Sequence, residues 1–222
     1  MHIARTLTTL AATGALALGA AACGDDETET ASGGTRTEQA RPKPAAQIDR
    51  LTGQVTAVKL DAGFVDALGK LKLTPGMLGD GTLENGSAKF PITGGNVTYY
   101  KPGSVSPYVQ GRIDHDGSGL SLTGGGKVVE LTDFVVDPGR SVLTGTVTVD
   151  GKRAAKGAPL FFLDGRTLQP LRTTDDGRAV LEGTTVKLKD ESAKLLNETF
   201  GVDALQGGFV VGVAKITVAA GA

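Results

Sequence analysis

Apolar and polar residues alternate with a period of two over much of the chain, most regularly across residues 108–151. The alternation is clearest at residues 120–122, 129–131 and 143–149. This period places successive side chains on opposite faces of a strand, so that one face enters a core and the other meets water. Residues 108–151 are therefore predicted to form an antiparallel β-meander of three or four strands.

The strands of the meander are predicted to be joined by glycine-containing turns, and one strand is predicted to carry a bulge. Residues 116–119 and 137–139 combine Gly with Asp, Ser or Pro, and residues 124–126 are three glycines. These compositions are typical of tight turns. The apolar parity flips between Leu131 and Phe134. That flip predicts a β-bulge near Thr132 and Asp133.

Further strands and two short helices are predicted on either side of the meander. The additional strands are expected at residues 54–60, 82–84, 88–93, 96–100, 160–163, 178–189 and 209–218. Asp61 is a suitable N-cap for a helix over residues 62–71, and Asp190 for a second helix that ends before Gly201. Residues 74–81 and 152–159 are expected to be loops. The predicted fold is mainly β, an antiparallel β-sandwich (immunoglobulin-like or related) with two short helices.

The first 22 residues have the composition of a bacterial export signal. A short basic start precedes an apolar, alanine-rich run that ends at Ala20-Ala21-Ala22-Cys23. Cys23 is the only cysteine of the chain, and a cysteine after small residues resembles the acylation site of a lipoprotein, although Ala20 stands where leucine is usual. The alternative is an ordinary signal peptide followed by an incidental cysteine.

These observations divide the chain into three parts. Residues 1–22 are predicted to be a lipoprotein signal peptide. Residues 23–47, with a lipidated Cys23, are polar and show no apolar periodicity, which predicts a disordered tether. Residues 48–222 are predicted to form a single β domain. The predicted location is the extracellular face of the cell membrane, with the lipid on Cys23 as the anchor.

Charge and composition narrow the range of partners. The formal net charge is −1, and loss of Arg5 with the predicted signal leaves about −2. This balance gives no electrostatic basis for binding nucleic acid. The 33 glycines show no period of three, which favours a turn-rich β protein over a collagen-like one.

Catalytic and metal-binding signals are weak. His115 is the only histidine after residue 22, so a histidine metal cluster is excluded. In a Ser-His-Asp arrangement, His115 would need Asp114 or Asp116, and neighbours on a strand point to opposite faces. Residues 114–119 lack the third acidic position and the distal glutamate of a calcium loop. The sequence predicts a protein that is not an enzyme and has no metal site.

The tyrosines are the other candidates for a ligand site. Tyr99, Tyr100 and Tyr108 are the only three in the chain. Alternation places Tyr99 and Tyr100 on opposite faces of a strand, so at least one of these rings is expected in the core.

Residues 90–149 resemble the HtaA domain, a family of actinobacterial surface and secreted proteins that includes haem-uptake proteins. The family's strand, its His-Asp/Gly-Gly turn and the following apolar strand are matched by six residues: Ile113, His115, Asp116, Gly117, Leu120 and Leu122. Members that bind haem use a tyrosine as axial ligand with a histidine close to it. In this chain the corresponding start, residues 65–68, has no tyrosine, and tryptophan is absent.

The resemblance leads to two functional expectations. The first is a non-catalytic, lipid-anchored cell-surface protein of HtaA-like type with a binding or envelope-structural role, whose partners are the membrane and another surface protein. The alternative is a haem-binding or haem-uptake protein in which Tyr99, Tyr100 or Tyr108 is the ligand and His115 supports it.

Overall fold

Most of the chain forms antiparallel strands, as the alternation predicts. The structure is a computed structural model and describes residues 42–219. The strands in this range are β1 Ala46–Ile48, β2 Gln54–Leu60, β3 Thr74–Gly79, β4 Thr82–Glu84, β5 Ser87–Pro91, β6 Gly94–Tyr99, β7 Val109–Gly124, β8 Lys127–Asp137, β9 Val142–Val149, β10 Lys152–Asp164, β11 Arg172–Thr173, β12 Arg178–Leu188 and β13 Val210–Ala219. The helices in the same range are α1 Ala62–Lys70 and α2 Asp190–Phe200, with a 3₁₀ turn at Gly165–Thr167.

All the described strands belong to one continuous sheet. Its order is β1-β6-β7-β8-β9-β10-β12-β13-β2-β5-β4, with β3 added to β7 and β11 added to β12. The sheet curls into a half-barrel whose concave face holds the hydrophobic core. The predicted mainly-β fold with two short helices is confirmed. The predicted sandwich is not, because a single twisted and bulged sheet covers its own interior where two separate sheets were expected.

The meander is present as β7, β8 and β9, but the first of its predicted turns is not a turn. Residues 116–119 lie within the 16-residue strand β7. There the pairing with β8 steps from His115 opposite Phe134 to Gly119 opposite Thr132, which is a bulge. Asp and Gly favour a bulge for the same reason that they favour a turn, namely their tolerance of positive φ.

The bulge predicted near Thr132 and Asp133 is confirmed. The register between β8 and β9 shifts between Thr132 and Val135, and Asp133 has a φ of +52°. The Asp133 carboxylate accepts a hydrogen bond from the backbone N–H of Gly117, with 3.3 Å between the two atoms. The bulges on β7 and β8 therefore contact each other and bend the two strands at the same level.

Two segments that were predicted to be loops are strands. Residues 74–79 form β3, which pairs with β7 from Thr74 opposite Thr123 to Gly79 opposite Ser118. Residues 152–159 form the first part of β10, whose pairing with β9 contains three register shifts. The pairing of residues 152–159 is irregular, which breaks the period of two. Residues 74–79 pair regularly with β7, but Pro75, Gly76 and Gly79 are residues typical of turns, so their sequence predicts a loop.

The folded part of the chain begins before residue 48. The predicted tether over residues 23–47 ends inside β1, in which Ala46 and Gln47 pair with Tyr99 and Thr98 of β6. The predicted signal peptide over residues 1–22 and the predicted lipid attachment at Cys23 lie outside the described residues.

Both helices are short and begin beside the sheet. Asp61 caps α1 as predicted, because its carboxylate accepts hydrogen bonds from the backbone N–H groups of Gly63 and Phe64 at 2.8 and 3.3 Å. In α2, Asp190 is the first helical residue and Lys189 occupies the N-cap position without a side-chain cap. Gly201 ends α2 in the left-handed conformation, as predicted. Neither of these helices has the length and apolar character needed to cross a bilayer.

Candidate binding site inside the half-barrel

His115 is buried in the middle of the half-barrel and both of its ring nitrogens have partners. Its exposed fraction is 1%. Nδ1 lies 2.9 Å from the carbonyl oxygen of Pro91, and Nε2 lies 3.2 Å from the hydroxyl oxygen of Thr56. A carbonyl can only accept, so Nδ1–H donates to Pro91. Burial lowers the pKa of the ring and favours its neutral form, in which Nε2 carries no proton and accepts from the Thr56 hydroxyl. His115 is therefore held as a neutral imidazole of one tautomer.

Burial determines the charge state of His115. Loss of hydration lowers the pKa of the imidazole, and this effect outweighs the Pro91 carbonyl and the Asp114 carboxylate, which raise it. Asp114 forms an ion pair with Arg112 at 2.6 Å. The Asp116 carboxylate accepts a hydrogen bond from the Thr93 hydroxyl at 3.4 Å. These two aspartates are thus engaged with other groups, and neither orients the imidazole.

An aromatic cluster of Phe90, Phe134 and His115 lies between two parts of the interior of the half-barrel. The Phe90 ring lies edge-on to the Phe134 ring, with 5.2 Å between centroids, and 6.4 Å from the His115 ring. Along β8, Phe134 lies between Leu131 and Val136, which line two different cavities. We call the cavity beside Val136 the tyrosine cavity and the cavity beside Leu131 the helix cavity.

The tyrosine cavity lies on the Val136 side of the aromatic cluster and has a volume of about 160 Å³. Its walls are apolar and include Tyr99 and Tyr108. The two rings are perpendicular to each other, with 5.8 Å between their centroids. Tyr99 is 8% exposed, which confirms the prediction that one tyrosine ring lies in the core.

Burial and the neighbouring Tyr99 both act on the phenol of Tyr108. Loss of hydration raises the pKa of the Tyr108 phenol, and the neighbouring Tyr99 raises it further. A raised pKa keeps the Tyr108 phenol protonated at neutral pH, so that it can donate a hydrogen bond to a ligand. The tyrosine cavity thus combines an apolar wall with a phenolic donor.

The helix cavity lies on the Leu131 side of the aromatic cluster, between the sheet and both helices. Its volume is about 380 Å³. Phe64 and Leu68 of α1 line it together with Leu195 and Leu196 of α2. Both helices therefore cover the same part of the interior.

The structure brings together some of the predicted site residues and separates others. Tyr99 and Tyr108 meet in the tyrosine cavity, whereas Tyr100 lines neither cavity and contacts Tyr108 through a backbone hydrogen bond of 2.7 Å. His115 also lines neither cavity. Within residues 42–219, no cluster of three or more His, Cys, Asp and Glu side chains has a geometry that could hold a metal ion.

Sequence reasoning missed the partners of His115. Thr56 lies on β2 and Pro91 ends β5, at 59 and 24 residues from His115 along the chain. No spacing rule connects these three positions, because the curl of the sheet brings them together. The only available signal is a lone histidine in an apolar strand, which is typical of a hydrogen-bonded core residue.

Comparison with known proteins gives a match in structure only. No family model matches the chain, and no curated protein matches its sequence. The fold is similar to the C-terminal domain of HtaA from Corynebacterium glutamicum, with a TM-score of 0.53 and 16% identity over 76% of this chain and 97% of that one. A domain-swapped dimer of a variant of the same domain aligns with a TM-score of 0.46 and 16% identity, over 71% and 91% of the two chains.

These observations define the class of the domain. It is an antiparallel half-barrel with an apolar interior, and its fold is HtaA-like. The resemblance inferred from residues 90–149 is thus confirmed at the level of the fold, over a larger part of the chain than the sequence motif covers.

Proposed function

We propose that this protein is a non-catalytic, lipid-anchored cell-surface protein of HtaA-like type whose half-barrel binds an apolar ligand. The observation that carries the proposal is the pair of perpendicular rings, Tyr99 and Tyr108, in the wall of an apolar cavity. Such sites typically join apolar walls to a few polar groups that orient the ligand. Here the phenol of Tyr108 is the orienting group.

The proposed anchor is an acyl group on Cys23. The sequence Ala20-Ala21-Ala22-Cys23 and the polar residues that follow support it. A multiply acylated cysteine holds a protein at a bilayer because each buried methylene contributes about 0.8 kcal/mol. The proposed location is the extracellular face of the cell membrane, and the proposed partners are the membrane and a second surface protein. Nucleic acid is not a proposed partner, since the net charge is close to zero.

The state of His115 supports a role other than catalysis. A general base needs a free nitrogen within hydrogen-bond distance of the substrate. Both nitrogens of His115 are occupied by Pro91 and Thr56, and the ring is 1% exposed. His115 therefore serves the fold.

Haem is the second candidate ligand, favoured by the HtaA-like fold and by the two phenols in one cavity. The residues of this chain fit a haem site poorly. His115 has no free nitrogen with which to support a tyrosinate, and the pKa of Tyr108 is raised where a ligand would need it lowered. The volume of the tyrosine cavity, about 160 Å³, lies below the range of about 300–1,000 Å³ that is common for drug-sized ligands, so the cavity suits a small apolar ligand better than a haem macrocycle.

A haemin titration separates the two candidates. We expect the mature protein to give no saturable Soret shift that depends on Tyr99 or Tyr108. A stoichiometric Soret band that is lost in Tyr108→Phe or Tyr99→Phe, but kept in Tyr100→Phe, would establish the haem alternative. Tyr100→Phe is the matched control because Tyr100 lines neither cavity.

A further inference from the structure

The helix cavity is the larger of the two cavities and its walls are aliphatic. Its volume of about 380 Å³ falls in the range of about 300–1,000 Å³ that is common for small-molecule sites. Leu68 of α1 and Leu196 of α2 face Leu120, Leu131 and Leu160 of the sheet across it. A cavity of this kind favours hydrocarbon, because burial of apolar surface is the main free energy that its walls offer.

Polar groups of the helix cavity cannot recognise a polar ligand inside it. The Ser192 hydroxyl already donates to the Pro159 carbonyl oxygen at 3.3 Å. The Glu191 carboxylate is exposed, and its nearest cation is the Lys189 ammonium at 4.0 Å. The polar part of a ligand must therefore remain at the surface, close to the negative charge of Glu191.

The sheet is open beside the helix cavity. β3 pairs with β7 and β4 pairs with β5, but no ladder joins β3 to β4 among the described strands. Met77 of β3 and Leu83 of β4 both line the cavity at this gap. Leu83 is 48% exposed. Leu83 therefore lies where the apolar wall of the helix cavity reaches solvent.

We infer that the helix cavity binds one aliphatic chain of a lipid or other amphiphile. The head group is neutral or cationic and stays in solvent near Glu191. A methylene is close in size to a water molecule, which occupies about 30 Å³ in the liquid, so the cavity holds a chain of on the order of ten carbons. This inference depends on the described fold alone and is independent of Cys23 acylation and of the tyrosine cavity.

Calorimetric titration with three ten-carbon probes below their micellar concentrations tests the inference. The protein is the full chain with Cys23→Ser, and the probes are decyltrimethylammonium, decanol and decanoate. We expect saturable one-to-one binding of the cationic and neutral probes, and binding of decanoate that is several-fold weaker. Each methylene removed from the cationic probe should weaken binding about fourfold. Glu191→Gln should reduce the difference between the cationic and anionic probes.

A pair of alanine-to-phenylalanine variants locates the binding site. Ala158 lines the helix cavity and Ala179 lines the tyrosine cavity. We expect Ala158→Phe to weaken decyltrimethylammonium binding at least about tenfold by occupying part of the volume, and Ala179→Phe to leave it unchanged. If Ala158→Phe does not unfold cooperatively, the inference is tested by the dependence of binding on the chain length of the cationic probe, measured with the unaltered cavity.

Three results would overturn the inference. The first is a folded protein that binds none of the decyl probes at millimolar concentration. The second is binding that is insensitive to chain length. The third is binding lost in Ala179→Phe and kept in Ala158→Phe, which would assign the aliphatic chain to the tyrosine cavity. The haemin titration with Tyr108→Phe is a separate readout, so the failure of one proposal is distinguishable from the failure of the other.

Discussion

The hydroxyl of Thr56 on β2 donates a hydrogen bond to Nε2 of His115 on β7, with 3.2 Å between the two atoms. These strands are far apart in the order of the sheet. The contact exists because the sheet curls. The imidazole forms a second hydrogen bond to the carbonyl of Pro91 at the end of β5, so it connects three strands. His115 thus joins parts of the half-barrel that no backbone ladder connects directly.

Removal of the His115 side chain is predicted to destabilise the fold. His115→Ala leaves a cavity beside Phe90 and Phe134 and deprives the Thr56 hydroxyl and the Pro91 carbonyl of their partner. We expect the free energy of unfolding in urea to fall by about 2–5 kcal/mol. Thr56→Val, which removes only the donor to Nε2, should lower it by about 1–3 kcal/mol. A change below about 0.5 kcal/mol in His115→Ala would contradict a structural role.

Stability is predicted to depend on pH through His115. Burial lowers its pKa in the folded state below the unfolded value of about 6.5. Above that value both states are neutral and stability is constant. As the pH falls below about 6.5, the unfolded chain gains a proton that the folded chain does not, so the free energy of unfolding decreases by up to about 1.4 kcal/mol per pH unit.

Urea unfolding between pH 5.5 and 8 measures this dependence. His115→Gln removes the titrating group and keeps a side chain that can form hydrogen bonds, so its stability should vary less with pH in this window. If the free energy of unfolding varied equally with pH in the wild type and in His115→Gln, His115 would have the same pKa in the folded and unfolded states.

A glycine at the bulge of β7 is predicted to tolerate no side chain. A Cβ on Gly119 would lie 2.3 Å from the carbonyl oxygen of Leu131 on the neighbouring strand. We expect Gly119→Ala to lower the melting temperature, with a loss of about 1–3 kcal/mol. Gly69 in α1 is the matched control, since a Cβ there meets no atom within 4 Å. Gly69→Ala should stabilise the protein by about 0.5–1 kcal/mol, and the opposite order of the two variants would contradict the packing described at the bulge.

Membrane attachment is predicted to depend on Cys23. In an expression host with lipoprotein processing, metabolic labelling with an alkynyl palmitate should mark the wild-type protein, which should partition with the membrane fraction. Cys23→Ser should be unlabelled and soluble, because a single serine provides no acyl anchor. A wild-type protein that is exported but unlabelled would favour the ordinary signal peptide over the lipoprotein signal.

Local sequence patterns predict the regular strands of this fold and miss its irregular ones. The alternation at residues 143–149 and the cap at Asp61 act within a few residues, so they can be recognised without tertiary information. Residues 152–159 form a strand only because their pairing with β9 accommodates two register shifts within this segment. The bulge at residues 116–119 depends on a partner bulge on β8. Likewise, the choice between two sheets and one curled sheet is made by long-range pairing.

The candidate site could be predicted in its components but not in its arrangement. The opposite parity of Tyr99 and Tyr100 correctly predicts that one of the two rings lies in the core. The contact of Tyr99 with Tyr108 requires the chain reversal between β6 and β7. His115 can be singled out as the lone imidazole, yet its role depends on Thr56 and Pro91, which only the folded sheet brings to it. The helix cavity has no motif at all, since ordinary leucines on distant elements form its walls.

The protonation state of the His115 ring separates a structural role from the haem alternative, because both nitrogens are engaged by Thr56 and Pro91 and a haem site would require one of them to be free. Long-range ¹H–¹⁵N NMR of the isotopically labelled mature protein at pH 7 reports both ring nitrogens. We expect a neutral imidazole with the proton on Nδ1, unchanged when one equivalent of haemin is added. A protonated ring, the opposite tautomer, or a large shift of either nitrogen on haemin addition would contradict this expectation.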